Sequence, residues 1–391
     1  MLVEVKGVQF QNQGAHLMLL AVLERLQLLV PEARIVLSAG PESPIECIEQ
    51  LGALRKLRLR KRWFDANALG YALPHPVSAA MIRRGRATEG QVDAVLDASG
   101  FAYGGDWTPW LMTYAADEIR RKADRGQPYI FLPQAFGPFP ASRAATQFGA
   151  ALERAAMIGI RDARSQRLLA ELNPRLEGRL ERYPDVTIGL RGDPAAAERW
   201  GVDHRTVLLI PNWQMTGERN PDTAWRSGYL QFLGDLAGHI HSQGREPVLL
   251  NHEGRGDAAI CEQVAAARPG TRIIAEPDPR AVKAVIGASS AVVSSRYHGC
   301  LAALSQGVPC IATSWSHKYQ ELFAEFDVPQ WLLARCDAAE AATLLAASLA
   351  DRRSQSQRLL EHSARQEAEV ARLWRRVGAL LQGARASGQQ S

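Results

Sequence analysis

Ala291-Val292-Val293-Ser294-Ser295-Arg296-Tyr297-His298-Gly299-Cys300-Leu301-Ala302-Ala303-Leu304 reads as a short apolar strand, a polar turn and a helix with small and apolar faces. In an open α/β sheet, polar residues at such a junction lie outside the carboxyl end of a strand, where these sheets bind ligands. The helix start adds free backbone N–H groups and the positive end of a dipole, both favourable to an anion. Gly307-Val308-Pro309 and Lys318 follow closely. One strand-to-helix unit thus carries a guanidinium, an imidazole and an ammonium: an anion site with a proton-transfer group beside it.

The same alternation extends outward from this stretch. Residues 2–8 read as a strand, and Leu19, Leu20, Leu23, Leu26 and Val30 recur at helical spacing after it. Apolar runs at 35–37, 92–96, 129–132 and 157–160 supply further strands. A loop rich in Pro, Gly and Asp spans about 183–193, and the pattern restarts at 207–210, 247–250, 271–274, 291–293 and 310–312. Short apolar strands alternating with helices signify parallel sheets with crossover helices. The expected fold is therefore α/β, with two Rossmann-like domains over residues 1–195 and 196–345. Val370, Leu373, Trp374, Val377, Leu380 and Leu381 keep one helical face. Residues 346–383 are accordingly expected to form a docking helix, ahead of a disordered tail over 384–391.

Composition narrows the functional classes. The hydrophobic fraction of 46% and charged fraction of 22% are those of an ordinary globular chain. A net charge of +5 over 391 residues does not imply nucleic acid and suits an acidic substrate or an anionic membrane surface. The five cysteines form no CxxC pair, which argues against a disulfide framework or zinc site and suits a reducing cytosol. No leader pattern and no apolar run of about 18 residues is visible, so a cytoplasmic protein without a membrane span is expected. The basic run Arg55-Lys56, Arg58, Arg60-Lys61-Arg62 reads as a solvated face. It would also let the protein rest peripherally on anionic lipid at the inner face of a membrane, were the acceptor lipid-linked.

Three further junctions carry candidate chemistry. Gly7 to His16 follows the first strand, and its Asn12 and Gly14 suit either a plain turn or an acceptor-binding loop. It lacks the GxGxxG spacing of a dinucleotide site. Asp97 to Trp107 gathers glycines, aromatics and acids after another strand; Tyr103 and Asp106 there fit a sugar site, with a structural glycine loop as the alternative. Arg161 follows a strand end, where it would bind phosphate or carboxylate bidentately or form an ion pair, and Asp162 would cap the next helix. His252-Glu253-Gly254 with Asp257, and His239 with His241, offer no third ligand by spacing, so no metal site is expected. No GxSxG, HExxH or Walker A pattern occurs.

Ser295-Arg296-Tyr297-His298-Gly299-Cys300, then Gly307-Val308-Pro309-Cys310-Ile311-Ala312 and Lys318, resembles the C-terminal signature of the polysaccharide pyruvyl transferases. Asn12-Gln13-Gly14, Leu132-Pro133-Gln134-Ala135-Phe136-Gly137-Pro138-Phe139, Arg161-Asp162 with Ser165, and Tyr183-Pro184-Asp185 with Leu190 are similar to further segments of that family, in the same order. The resemblance implies a GT-B-like pair of domains whose parallel sheets face each other across a cleft, the second on the donor side and the first on the acceptor side. It implies phosphoenolpyruvate as donor, a glycan or lipid-linked glycan with two nearby hydroxyls as acceptor, and a pyruvate ketal plus phosphate as products. His298 would be the general acid or base. Arg296 and Arg161 would bind the donor's phosphate and carboxylate, with Gly299 and Lys318 completing that side. Asn12, Gly14, Tyr103 and Asp106 are the acceptor-side candidates. This chemistry needs no metal or cofactor. One departure stands out: the family's first loop often reads Asn-x-Gly-Asp, whereas Ala15-His16 follow Gly14 here. A nucleotide-sugar glycosyltransferase on the same fold and a non-catalytic sugar-binding relative are the competing readings.

Overall fold

The computed structural model describes residues 1–61, 64–104, 109–218, 220–313 and 318–388. The chain forms two compact units. The first comprises Met1–Phe10, Met18–Thr187 and Glu369–Ser391; the second comprises Gln11–Leu17 and Ile188–Ala368.

The first unit is built on β1 (Leu2–Lys6), β2 (Arg34–Ser38), β3 (Leu54–Lys56), a small hairpin of β4 (Arg60–Lys61) and β5 (Phe64–Asp65), β6 (Arg86–Ala87), β7 (Ala94–Asp97), β8 (Tyr129–Gln134), β9 (Met157–Ile160) and β10 (Leu180–Arg182). Its main sheet runs in the order β10-β9-β8-β7-β1-β2-β3-β6, with every described pairing parallel. Strand order reverses between β1 and β7. A cluster of rings holds one face, where Phe148 packs on Tyr103 with centroids 4.9 Å apart and on Phe131 at 6.2 Å. Truncating so buried a ring would cost about 3–5 kcal/mol.

The second unit carries β11 (Thr206–Ile210), β12 (Glu246–Leu250), β13 (Arg272–Ile274), β14 (Ala291–Ser294) and β15 (Cys310–Ala312), all parallel in the order β13-β12-β11-β14-β15. Val207, Leu208, Leu209, Val292 and Ile311 are fully buried because helices cover both faces of such a sheet. The order reverses between β11 and β14, and a crevice at such a reversal is where doubly wound sheets take ligands.

Several expectations need correction. The units divide after Thr187 rather than at 195, and the segment Gln11–Leu17 joins the second unit although it opens the helix Gln13–Leu29. The expected docking helix is two helices, Ala338–Ala350 and Arg352–Gly388, separated at Asp351. The second runs through residues 384–388 of the expected tail, and 389–391 lie outside the described residues. Its Val370, Leu373, Trp374, Val377 and Leu381 are buried. Lys56 leaves the basic face altogether: as an inward residue of β3 it is buried between Glu4 and Glu118 at 2.5 and 2.6 Å. A strand alternates its side chains, so a basic run crossing it cannot all face solvent.

Candidate functional site

Both strands at the reversal of the second sheet feed this site. Ser295, just beyond β14, is its fixed point. Its carbonyl accepts from Asn212 Nδ2 at 3.0 Å and from the Tyr319 hydroxyl at 2.7 Å. Its own hydroxyl bonds Tyr229 and Thr313, each at 2.5 Å. Ser294 Oγ accepts from the Arg296 amide at 3.0 Å. The backbone that presents Arg296 and His298 is thereby held rigid, as a precise site requires.

Arg296 Nε and Nη2 donate to Asp257 Oδ2 and Oδ1 at 2.8 and 2.6 Å, and Nη1 meets Glu253. Glu253 occupies the N-cap position of the helix Gly254–Ala267, with no side-chain capping bond, and Asp257 lies in its first turn; both carboxylates meet Arg296. The two differ in environment: Asp257 is wholly buried and also accepts from the Trp213 amide at 3.0 Å, whereas the Glu253 side chain is 26% exposed. Burial raises the Asp257 carboxyl to about 8 and lowers the Arg296 guanidinium to about 10. The bidentate contact between carboxylate and guanidinium works against both shifts.

His298 is half-buried in the first turn of the helix Tyr297–Leu304, edge-on to Tyr297 at 5.3 Å. Gly14 lies directly against it: a Cβ there would fall on the imidazole, nearest Nδ1. Asn12 Oδ1 accepts from the Ala15 amide at 3.0 Å, capping the helix Gln13–Leu29, and the Asn12 backbone bridges to Glu253. His252 is buried nearby. Desolvation, then the charges of Arg296 and His298, draw its pKa down to about 3, which leaves it neutral around pH 7. Lys318 Nζ lies 5.4 Å from the Tyr297 ring centroid and 5.7 Å from that of Tyr319, within cation–π range. Gly299 is required by packing, since a Cβ would come within 2.8 Å of Ser294 Oγ.

The second unit therefore gathers Arg296, His298, Gly299, Lys318, Asn12 and Gly14. The remaining described candidates belong to the first unit. Arg161 belongs to the first unit, where its Nη1 donates to buried Asp185 at 2.9 Å. Tyr103 is a core residue of that unit, and its hydroxyl donates to Asp97 at 2.6 Å. Asp106 lies outside the described residues. Sequence reasoning missed Glu253 and Asp257 as partners of Arg296. Their i, i+4 spacing was visible, but it bore only on a metal site, which was not expected, and not on a guanidinium clamp. Among the described residues no group of three His, Cys, Asp or Glu is arranged to hold a metal ion.

Two parallel α/β units, the second with a basic and imidazole-bearing junction at its strand-order reversal, define a GT-B-like protein. The chain belongs to the polysaccharide pyruvyl transferase family, whose sequence model matches residues 12–317. A comparison with curated proteins finds no match. Solved structures with a similar fold include Anabaena HepE in complex with UDP, at 12% identity and a TM-score of 0.58, covering 98% of this chain and 99% of that one. Another is UDP-N-acetylglucosamine 2-epimerase from Rickettsia bellii, at 11% identity and a TM-score of 0.57, covering 97% and 96%. The corresponding epimerase of Methanocaldococcus jannaschii has 7% identity and a TM-score of 0.55, covering 89% and 93%. Among the described residues no helix is long and apolar enough to cross a membrane.

Proposed function

We propose that this protein transfers the pyruvyl group of phosphoenolpyruvate to two hydroxyls of a sugar in a polysaccharide or its precursor. One hydroxyl oxygen adds to the donor's C2, the methylene carbon takes a proton, phosphate leaves, and the second hydroxyl closes the ketal. Of the two protons given up by the hydroxyls, one balances the new methyl group and the other leaves with phosphate.

The observation that carries this reading is the Arg296–His298 pair on a rigid strand end within the matched family region, with Lys318 beside the Tyr297 ring. An imidazole both gives and accepts protons, which suits transfer in either direction. The donor is small and strongly anionic, and cations flanking His298 suit it. Asp257 grips one edge of the Arg296 guanidinium, while Nη1 faces the more exposed Glu253. Donor binding at Arg296 then replaces the Glu253 carboxylate by a donor oxygen on that nitrogen. Buried neutral His252 adds no competing positive charge.

The test is acceptor-dependent phosphate release from phosphoenolpyruvate. The wild type should release phosphate only with a glycan acceptor, and His298→Ala should lose at least about a hundredfold in kcat with its fold intact. Full activity in that variant would remove His298 from the chemistry. Stabilisation by a UDP-sugar but not by phosphoenolpyruvate would favour a glycosyltransferase instead.

A further inference from the structure

The first unit holds a pocket of about 580 Å³ lined by Glu4, Lys6, Arg58, Phe101, Trp110 and Tyr114, among other residues. It adjoins the strand-order reversal between β1 and β7, the position at which open α/β sheets take ligands. Gly7, with φ of +74°, lies so close to Ser99 that the chain segments leaving those two strands touch.

Three features give the pocket chemical character. The first is an unsatisfied floor. Glu4 is 1% exposed, its Oε2 accepts from Lys56 Nζ at 2.5 Å, and its Oε1 has no hydrogen-bond partner among the described residues. Buried polar atoms are nearly always satisfied, so an orphaned oxygen in a pocket wall points to a partner supplied by a ligand. The second is an aromatic wall. Trp110 is 45% exposed, with Tyr114 one helical turn on at 5.1 Å between centroids and Arg60 stacked on the other ring. A large exposed indole beside polar groups is the arrangement by which pockets grip an amphipathic ligand. The third is a surplus charge. Lys6 pairs with Glu118, Lys56 with Glu4 and Glu118, and Arg60 with Asp65. Arg58 is exposed at the rim and has no ion pair among the described residues.

We infer that this pocket holds a saccharide bearing an anionic group. The pyranose C–H face lies on Trp110, a hydroxyl donates to Glu4 Oε1, and the phosphate or carboxylate meets Arg58. The inference rests on the reading of the protein as a glycan-modifying transferase and gives the acceptor's recognition in the pocket that Tyr103 also lines to Trp110, Glu4 and Arg58. An acceptor sugar that is phosphorylated and one that is a uronic acid share the required chemistry.

The experiment measures direct binding to the full chain by saturation-transfer NMR, without phosphoenolpyruvate, using glucose 1-phosphate, glucuronate and methyl glucoside. At least one anionic probe should bind more tightly than methyl glucoside, and the tighter of the two identifies the anion's source. Trp110→Ala should weaken every probe roughly fivefold to tenfold. Arg58→Gln should abolish the anionic preference, a loss of roughly threefold to tenfold, and spare the neutral sugar. Both positions are exposed, so the fold should survive. Equal binding of the three probes, no saturable binding, or binding indifferent to both substitutions would overturn the inference. Saccharide binding without any transfer from phosphoenolpyruvate would overturn the reaction and leave this site standing. Transfer that is insensitive to Trp110→Ala and Arg58→Gln would do the reverse.

Discussion

The two carboxylates on Arg296 should respond to substitution in opposite ways. Asp257 is fully buried and holds the guanidinium by two contacts at 2.6 and 2.8 Å. Asp257→Ala leaves a largely desolvated Arg296 with Glu253 alone, and breaking one side of a buried pair costs about 3–5 kcal/mol. At roughly 2–4 °C per kcal/mol for a domain of this size, Tm should fall by about 6–20 °C. Glu253 is partly solvated, and its pair with Arg296 contributes no more than about 1 kcal/mol. Glu253→Gln should therefore leave Tm within a few degrees of wild type. Removing a carboxylate that competes for Nη1 should also lower KM for phosphoenolpyruvate, by up to about fivefold if the whole of that ~1 kcal/mol is recovered. Thermal melts and initial-rate phosphate release measure both quantities. Equal destabilisation by the two substitutions, or a KM that rises in Glu253→Gln, would refute the division of labour between a fixed clamp and an exchangeable partner.

Other consequences are simpler to measure. Gly14→Ala places a methyl group against the His298 imidazole and should lower kcat about a hundredfold while changing Tm little, as expected when a reacting group moves by about 1 Å. Arg161→Ala breaks a buried pair with Asp185 and should cost about 3–5 kcal/mol in denaturant unfolding, so activity lost in that variant reports stability as well as binding. His252 has a folded pKa near 3, far below the ordinary histidine value, so the unfolded chain takes up a proton that the folded chain refuses. Its contribution to stability is complete above about pH 6.5 and declines as pH falls towards 3, by about 1.4 kcal/mol per unit. His252→Asn should flatten that acid limb in urea midpoints taken at pH 7, 6 and 5.

The second sheet was readable from sequence because parallel strands covered on both faces appear as apolar runs, as at Val207–Ile210 and Val292–Val293. The Arg296–His298 junction was readable for a related reason, since polar residues directly after such a run have few structural roles. What surrounds them was not. Asp257 lies 39 residues before Arg296, and a helix spacing cannot say which cation its carboxylates will face. Tyr103 sits among glycines and acids, which reads as a loop, yet its ring is stacked in the core and its hydroxyl is bound to Asp97. Lys56 was hidden by its neighbours, because the buried face of β3 depends on Glu4 and Glu118, which arrive from other elements. The contact of Gly14 with His298 joins the two most distant motifs of the family region, and only the fold brings them together.

The most direct measurement of the central claim uses phosphoenolpyruvate labelled in its pyruvyl carbons, incubated with the full-length protein and a panel of glycan acceptors. The account predicts label in an acid-labile ketal on the acceptor, with one phosphate released per pyruvyl group transferred and neither product formed by His298→Ala. Phosphate release without label in any glycan, or label transfer undiminished in His298→Ala, would contradict it.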